Sequence, residues 1–194
     1  MKKILIGFYI LSVSLLAYCA LSAEDNKPNE ITNEEYNVYS ALINLEYVKD
    51  GIKLIVIDDY TTTSISPGIS ELKENFRQEM PESQQETIDG FRKINQLRYL
   101  LKRQFSLPVD YVLVNEKEIN DIFPKKGWDS FYEKYPNSQG EMTLSRVGFN
   151  TAKSQALVYV GNQSHFLSGE GYIFLLVKEN NIWKVKQKES TWES

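Results

Sequence analysis

The sequence predicts an α+β fold, with N-terminal helices packed on a C-terminal antiparallel β-meander, and three features carry that expectation. Through residues 33–135 apolar side chains recur mostly at helical spacing. From residue 142 onward the chain breaks instead into short β-branched and aromatic runs with brief connections. Between the last two runs stand Glu179, Asn180 and Asn181, and asparagine tolerates the left-handed backbone that a tight hairpin demands. Strands joined this way pair antiparallel, and helices placed earlier in the chain would cover one face.

Residues 1–23 read as a signal peptide. Lys2 and Lys3 supply positive charge, residues 4–16 are almost wholly apolar, and small residues follow at Ala17, Cys19, Ala20, Ser22 and Ala23. The apolar run is shorter than the about 20 residues that a membrane span needs, and it ends before the polar stretch Glu24, Asp25, Asn26 and Lys27. Two processing sites compete. Ala20 and Ser22, before Ala23, suit the positions a signal peptidase reads. Cys19, the chain's one cysteine, lies where a lipid acceptor would lie, although Tyr18 before it is bulky. Both routes predict an exported bacterial protein: periplasmic, extracellular or, with a lipid on Cys19, anchored to the cell envelope. Residues 24–32 are polar, contain Pro28 and read as a flexible tether, and residues 33–194 read as a single globular domain.

Within that domain Asn33 is placed to cap a helix, with Glu34 and Glu35 in its first turn and Tyr36, Tyr39, Leu42 and Ile43 as its buried stripe. Residues 53–59 suit a buried strand, 61–67 a loop, and 70–80 a helix closed by Pro81. Ser83 with Glu86 forms a capping-box pattern opening the longest helix, whose apolar face carries Ile88, Phe91, Ile94, Leu97 and Leu101 before Pro108. A strand over 109–114 and helices over 117–123 and 127–135 follow. Strands are then expected over 142–149, 156–161, 171–178 and 182–189.

Composition narrows the chemistry. The chain has 194 residues with 22 Lys+Arg against 26 Asp+Glu, and removing Lys2 and Lys3 with the leader takes the net charge from −4 to near −6. That balance gives no electrostatic reason to bind nucleic acid, and leaves membrane contact only through a lipid on Cys19. No pair of cysteines exists, so an internal disulfide, thiol-ligated metals and iron–sulfur chemistry are excluded, and the core must supply the stability. No cofactor is expected.

One block is distinctive: Gly127-Trp128, Phe131-Tyr132, Tyr135-Pro136, Ser145-Arg146-Val147-Gly148-Phe149-Asn150, Ala156-Leu157-Val158-Tyr159, Gly169-Glu170-Gly171-Tyr172 and Trp183-Lys184-Val185. It resembles a family of uncharacterised exported bacterial proteins, with the likeness tightest over 127–192. The resemblance implies compartment and fold and imports no activity. It also implies that relatives carry two cysteines at the places of Ser164 and Ser168, bonded to each other. The two serines would then lie within disulfide reach, roughly 4–7 Å between Cα atoms.

His165 is the only histidine, so a Ser–His nucleophile would have to use it with Ser164, Ser168 or Ser145. Ser164 and Ser168 share one turn with it, whereas triad members converge from separate elements, and Ser145 has bulky neighbours where a nucleophile elbow needs small ones. Asp58 and Asp59 could offer oxygens to a hard cation, but no calcium-loop spacing follows and adjacent strand residues face opposite ways. No metal site is expected. Asp58, Glu116 and Glu170 could converge as the paired carboxyls of a glycoside hydrolase. Trp128, Phe131 and Tyr135 fall on one helical face beside Tyr132, a set that either stacks on a ligand or docks on the sheet as core. These patterns point to a non-enzymatic binding module for a peptide, protein or glycan. A hydrolase and a lipid-anchored structural envelope protein stand as alternatives.

Overall fold

Helix α1 (Asn33–Glu46) is capped by Thr32, one residue before the expected Asn33, which is instead its first helical residue. The Thr32 hydroxyl accepts from Glu35 N, and the Glu35 carboxylate accepts from Thr32 N at 2.9 Å, a reciprocal capping box. The computed structural model describes residues 30–65 and 76–194. The leader, Cys19, tether residues 24–29 and residues 66–75, which include the first part of the helix expected over 70–80, lie outside them.

The remaining elements are β1 (Leu54–Asp58), α2 (Phe76–Glu79), α3 (Gln85–Ile94), β2 (Asp110–Val114), α4 (Glu116–Lys126), α5 (Trp128–Lys134), β3 (Ser138–Leu144), β4 (Gly148–Phe149), β5 (Gln155–His165), β6 (Ser168–Glu179) and β7 (Ile182–Glu193). All strands join one sheet in the order β2-β1-β3-β5-β6-β7, with β4 also paired to β5. The protein is therefore α+β, but the meander expectation needs correction. β1 runs parallel to both β2 and β3, and only β3 to β7 pair antiparallel. Helices α4 and α5 also fall between β2 and β3 in the chain, because a parallel return needs a crossover long enough to cross the sheet.

The alternation of strand side chains divides the core in two. Ile55, Ile57, Met142, Leu144, Val158, Val160, Phe174 and Leu176 face α1 and its Tyr36, Tyr39, Leu42 and Ile43, with Leu101 and Phe105 closing that layer. On the opposite face Leu157, Tyr159, Ile173 and Leu175 meet Phe76, Met80, Ile88 and Phe91, while Val56 meets α4 and α5. Helices thus cover both faces, not one. Among the described residues no helix is long and apolar enough to cross a membrane.

Local chemistry explains where the expected boundaries moved. Helix α3 starts at Gln85 with Gln84 as its N-cap and no capping bond from its own side chain. The pattern of Ser83 with Glu86 is not used: Ser83 Oγ is buried without a hydrogen-bond partner. The carboxamide of Gln155, from β5, accepts from Gln84 N at 2.7 Å and Thr87 Oγ at 2.8 Å instead. The same helix stops at Ile94, making α1 the longer of the two, because Asn95 folds back to hold the backbone of Arg146 through N–H···Oδ1 (2.7 Å) and Nδ2–H···O (3.0 Å) bonds. Leu97 is consequently exposed, and Leu101 reaches the core from outside any helix.

The strand expected over 142–149 is broken at 145–147, where Arg146 enters the core to pair with Glu35. Both side chains are almost fully buried, at 3% and 2% exposure, and the contact is bidentate: Nε to Oε1 at 2.6 Å and Nη2 to Oε2 at 2.8 Å. The hairpin between β6 and β7 turns at Asn180 and Asn181 with φ of 50° and 62°, as their chemistry demands.

Removing one member of such a pair strands a buried charge. Arg146→Met should cost about 3–5 kcal/mol in urea unfolding, and adding Glu35→Gln should restore more than half of that loss. Equal additive losses in the two single variants and the double variant would show that the charges do not interact.

Candidate functional site

Parallel strands bring their carboxyl ends to one edge, where connecting loops leave a crevice. Here β1 and β2 end together, Asp58 opposite Val114, and Asp59 N then donates to Val114 O at 2.8 Å. Helix α4 opens immediately afterwards, capped by Asn115, whose side chain accepts from Glu118 N at 2.9 Å. Between that helix start, the 59–64 loop and Arg98, in the segment beyond α3, lies a cleft of about 300 Å³.

Its floor is acidic. Asp58 and Asp59 come from the end of β1, Glu116 from α4 and Glu141 from β3. Glu141 is the register partner of Val56, so alternation puts its side chain on the same face as that of Asp58. The rim carries Tyr60, Thr62, Thr63, Ser64 and Asn120, and Arg98 lies across the Tyr60 ring at 5.4 Å from its centroid. The loop is pinned from the other side: Thr61 N donates to Tyr99 O (2.9 Å), Leu101 N to Asp59 O (2.7 Å) and Thr62 N to Leu144 O (2.8 Å).

Burial pushes Asp58 far above the ordinary carboxylate range, to about 8; the charge of Glu141 and a hydrogen bond to it add to the rise, with Arg98 pulling the other way. Burial also raises Glu141, and the hydrogen bond from Asp58 partly offsets it. Burial thus holds both carboxyls toward their protonated forms, with one proton shared between them. Asp59 is raised as well, by burial, against the pull of Arg98.

The expected carboxylate set is thus partly assembled. Asp58 and Glu116 share the cleft, but Glu170 lies on β6 opposite Asn162 and Glu193, and Glu141 takes its place. Glu141 went unread because Pro136, Asn137 and Gly140 give its approach the composition of a turn. In the structure Gly140 takes φ 113° inside β3, where an added Cβ would stand 2.2 Å from Gln163 O. Asp58 and Asp59 do not point apart as strand neighbours would, since Asp59 lies beyond the strand's end. Among the described residues no group of three or more His, Cys, Asp or Glu is arranged to hold a metal ion.

The other candidates fall elsewhere. His165 is exposed at the end of β5 with its ring edge-on to Phe166. Ser164 and Ser168 engage each other: their hydroxyls are 3.0 Å apart, and Ser164 Oγ donates to Ser168 O at 2.8 Å. The closeness implied by the family resemblance is present there, and the serine–histidine geometry is not. Ser145 is fully buried; its hydroxyl donates to Arg146 O and accepts from Tyr159 N, so it splices the break between β3 and β4. Trp128, Phe131 and Tyr135 are buried, packed with Phe123 against Val56. Half-buried Tyr132 donates its hydroxyl to Ser164 O at 2.9 Å. No family model matches this chain, and no curated protein or solved structure matches it.

The raised pair has a measurable signature. An acid whose folded pKa lies above its unfolded value holds an extra proton when folded. Stability should therefore fall as pH rises from about 4 and level off above about 8, the value reached by Asp58. Asp58→Asn keeps a hydrogen-bond donor without the charge, and its urea midpoint should decline less than the wild type's between pH 5 and 9. Parallel declines would remove Asp58 as the cause.

Proposed function

We propose that this chain is an exported, non-enzymatic binding module that receives a glycan at its carboxyl-lined cleft. The observation that carries the reading is the lining: acceptors on Asp58, Asp59, Glu116 and Glu141, hydroxyls on Thr62, Thr63 and Ser64, and the aromatic ring of Tyr60 at the rim. Sugars offer many hydroxyl donors and an apolar face, which carboxylates and an aromatic edge accept in turn. The export half of the reading is supported by the charged, apolar and small-residue leader and by the resemblance to exported proteins.

Binding is favoured over glycoside hydrolysis by one feature. Hydrolysis needs its two carboxyls roughly 5–10 Å apart to admit a water or a sugar, whereas Asp58 and Glu141 share one face of adjacent strands and are close enough to shift each other's titration. The hydrolase alternative keeps one favouring observation, a carboxyl pair sharing a proton, which is a known arrangement for acid–base work. The envelope-anchored alternative rests on Cys19.

Saturation-transfer NMR against a panel of bacterial cell-wall and capsular oligosaccharides checks the reading. Binding is expected to disappear in Tyr60→Ala and Glu116→Gln, with the oligosaccharides unchanged after prolonged incubation. Cleavage lost in Asp58→Asn would transfer the assignment to the hydrolase, and no binding to any member would remove the glycan. Fractionation of expressing cells tests export independently: the protein should appear shortened outside the cytosol, and detergent partitioning abolished by Cys19→Ser would identify the lipid anchor.

A further inference from the structure

The carboxyl pair also closes a weak seam. Strands β1 and β3 register only through Leu54 with Ser138, Val56 with Glu141 and Ile57 with Met142, with a shift between the first two pairs. At the shift the sheet ladder is replaced by a side chain. Gln139 Nε2 donates to Val56 O at 3.0 Å, and Val56 N donates to Gln139 Oε1 at 3.1 Å. Beyond Ile57 the end of β1 is held to β3 by Asp58, whose side chain lies on the same face as Glu141 in the middle of β3, and by the Thr62 N to Leu144 O bond from the 59–64 loop. The antiparallel β5–β6 ladder, by contrast, runs unbroken from Gln155 with Val177 to Gln163 with Gly169.

We propose that the β1–β3 seam is a proton-operated latch on the cleft: the proton shared by Asp58 and Glu141 holds the end of β1 against the middle of β3, and its loss drives the two strands apart there and moves the 59–64 loop outward. The groups facing the pair make the response one-sided. Asp59 continues β1, and Glu116 reaches in from α4; both are acids. Arg98, from beyond α3, is the cation lining the cleft, and its Nε also donates to Thr61 O at 3.3 Å. Gln163, the β5 partner of Glu141, is uncharged. Loss of the shared proton thus adds a negative charge where, among the described residues lining the cleft, acids outnumber the one guanidinium. The latch needs no ligand, so it goes beyond the binding reading and stands or falls separately from it.

Hydrogen–deuterium exchange read by mass spectrometry tests it, with rates corrected for intrinsic base catalysis. On raising the pH from 6 to 9, protection over 54–64 and 138–144 should fall at least about tenfold, the response of one pH unit of linked stability, while protection over 156–178 holds. Asp58→Asn combined with Glu141→Gln keeps a hydrogen-bonded, uncharged pair and should abolish the fall. The proposal is overturned if wild-type protection is unchanged, if it falls equally across β5 and β6, or if the double variant responds as the wild type does. Should that variant not fold, Glu141→Gln alone serves, with the fall expected to vanish there too.

Discussion

The buried pairing of Glu35 with Arg146 is the constraint on which the rest of the architecture hangs. Glu35 caps its own helix through Thr32, so the pair fixes where α1 begins as well as where β3 stops. Arg146 also donates from Nη2 to Glu30 O at 3.1 Å and stacks over the Tyr99 ring at 4.3 Å. Its backbone is gripped by Asn95, the residue that ends α3. One side chain therefore joins α1, the broken strand and the exit from α3. A buried ion pair is weak evidence for net stability, because desolvation offsets most of its attraction. Its contribution here is geometric: no apolar replacement could hold these three segments at fixed relative positions through directed bonds.

The cleft follows from that junction. Residues 98–101 leave Asn95 and immediately bridge to 59–61, so the wall carrying Arg98 and the loop carrying Tyr60 are positioned from Arg146 outward. The floor follows from topology. A purely antiparallel sheet would have alternated strand directions, whereas the parallel trio β2-β1-β3 sends three carboxyl ends the same way and leaves the crevice beside them. The acids there are packed against the apolar layer of Val56, Ile119 and Trp128, which explains why burial dominates their raised pKa values.

The parts of this fold that the sequence made legible are those whose physics is local. The continuous apolar runs of β5 and β6, the Asn180–Asn181 hairpin and the stripe of α1 each depend on residues within one turn or one strand pair. What escaped reading depends on partners distant in the chain. Ser83 with Glu86 is a sound local cap pattern, yet it loses to Gln155, some seventy residues further on, because the buried carboxamide satisfies two donors at once. Arg146 gave no hint of breaking a strand, since its partner lies 111 residues away. Of the cleft, Asp58 and Glu116 were readable as candidates, but β1 and β2 could not be recognised as parallel from their own composition, and Glu141 was hidden by the turn-like residues before it.

The most distinctive residues prove to be structural, and this separates the motif block from the site. Gly148 lies so close to α3 that an added Cβ would sit 2.2 Å from Phe91 Cα, and Asn150 closes the next turn by accepting from Ser154 N and Gln155 N. Gly161 and Gly171 are cross-strand partners that leave room for Tyr159 and Trp192. The indole there donates to the Tyr159 hydroxyl at 2.8 Å, and a Cβ on Gly171 would meet the indole nitrogen at 2.0 Å. Gly148 and Gly171 are specified by close approaches that an added Cβ would block, and Asn150 by the turn it closes. Of the cleft residues, Asp58, Tyr60, Arg98 and Glu116 precede that block, and Glu141 falls within its span, between Pro136 and Ser145. The block thus builds the scaffold, and the cleft stands beside the parallel strands at the other side of the sheet.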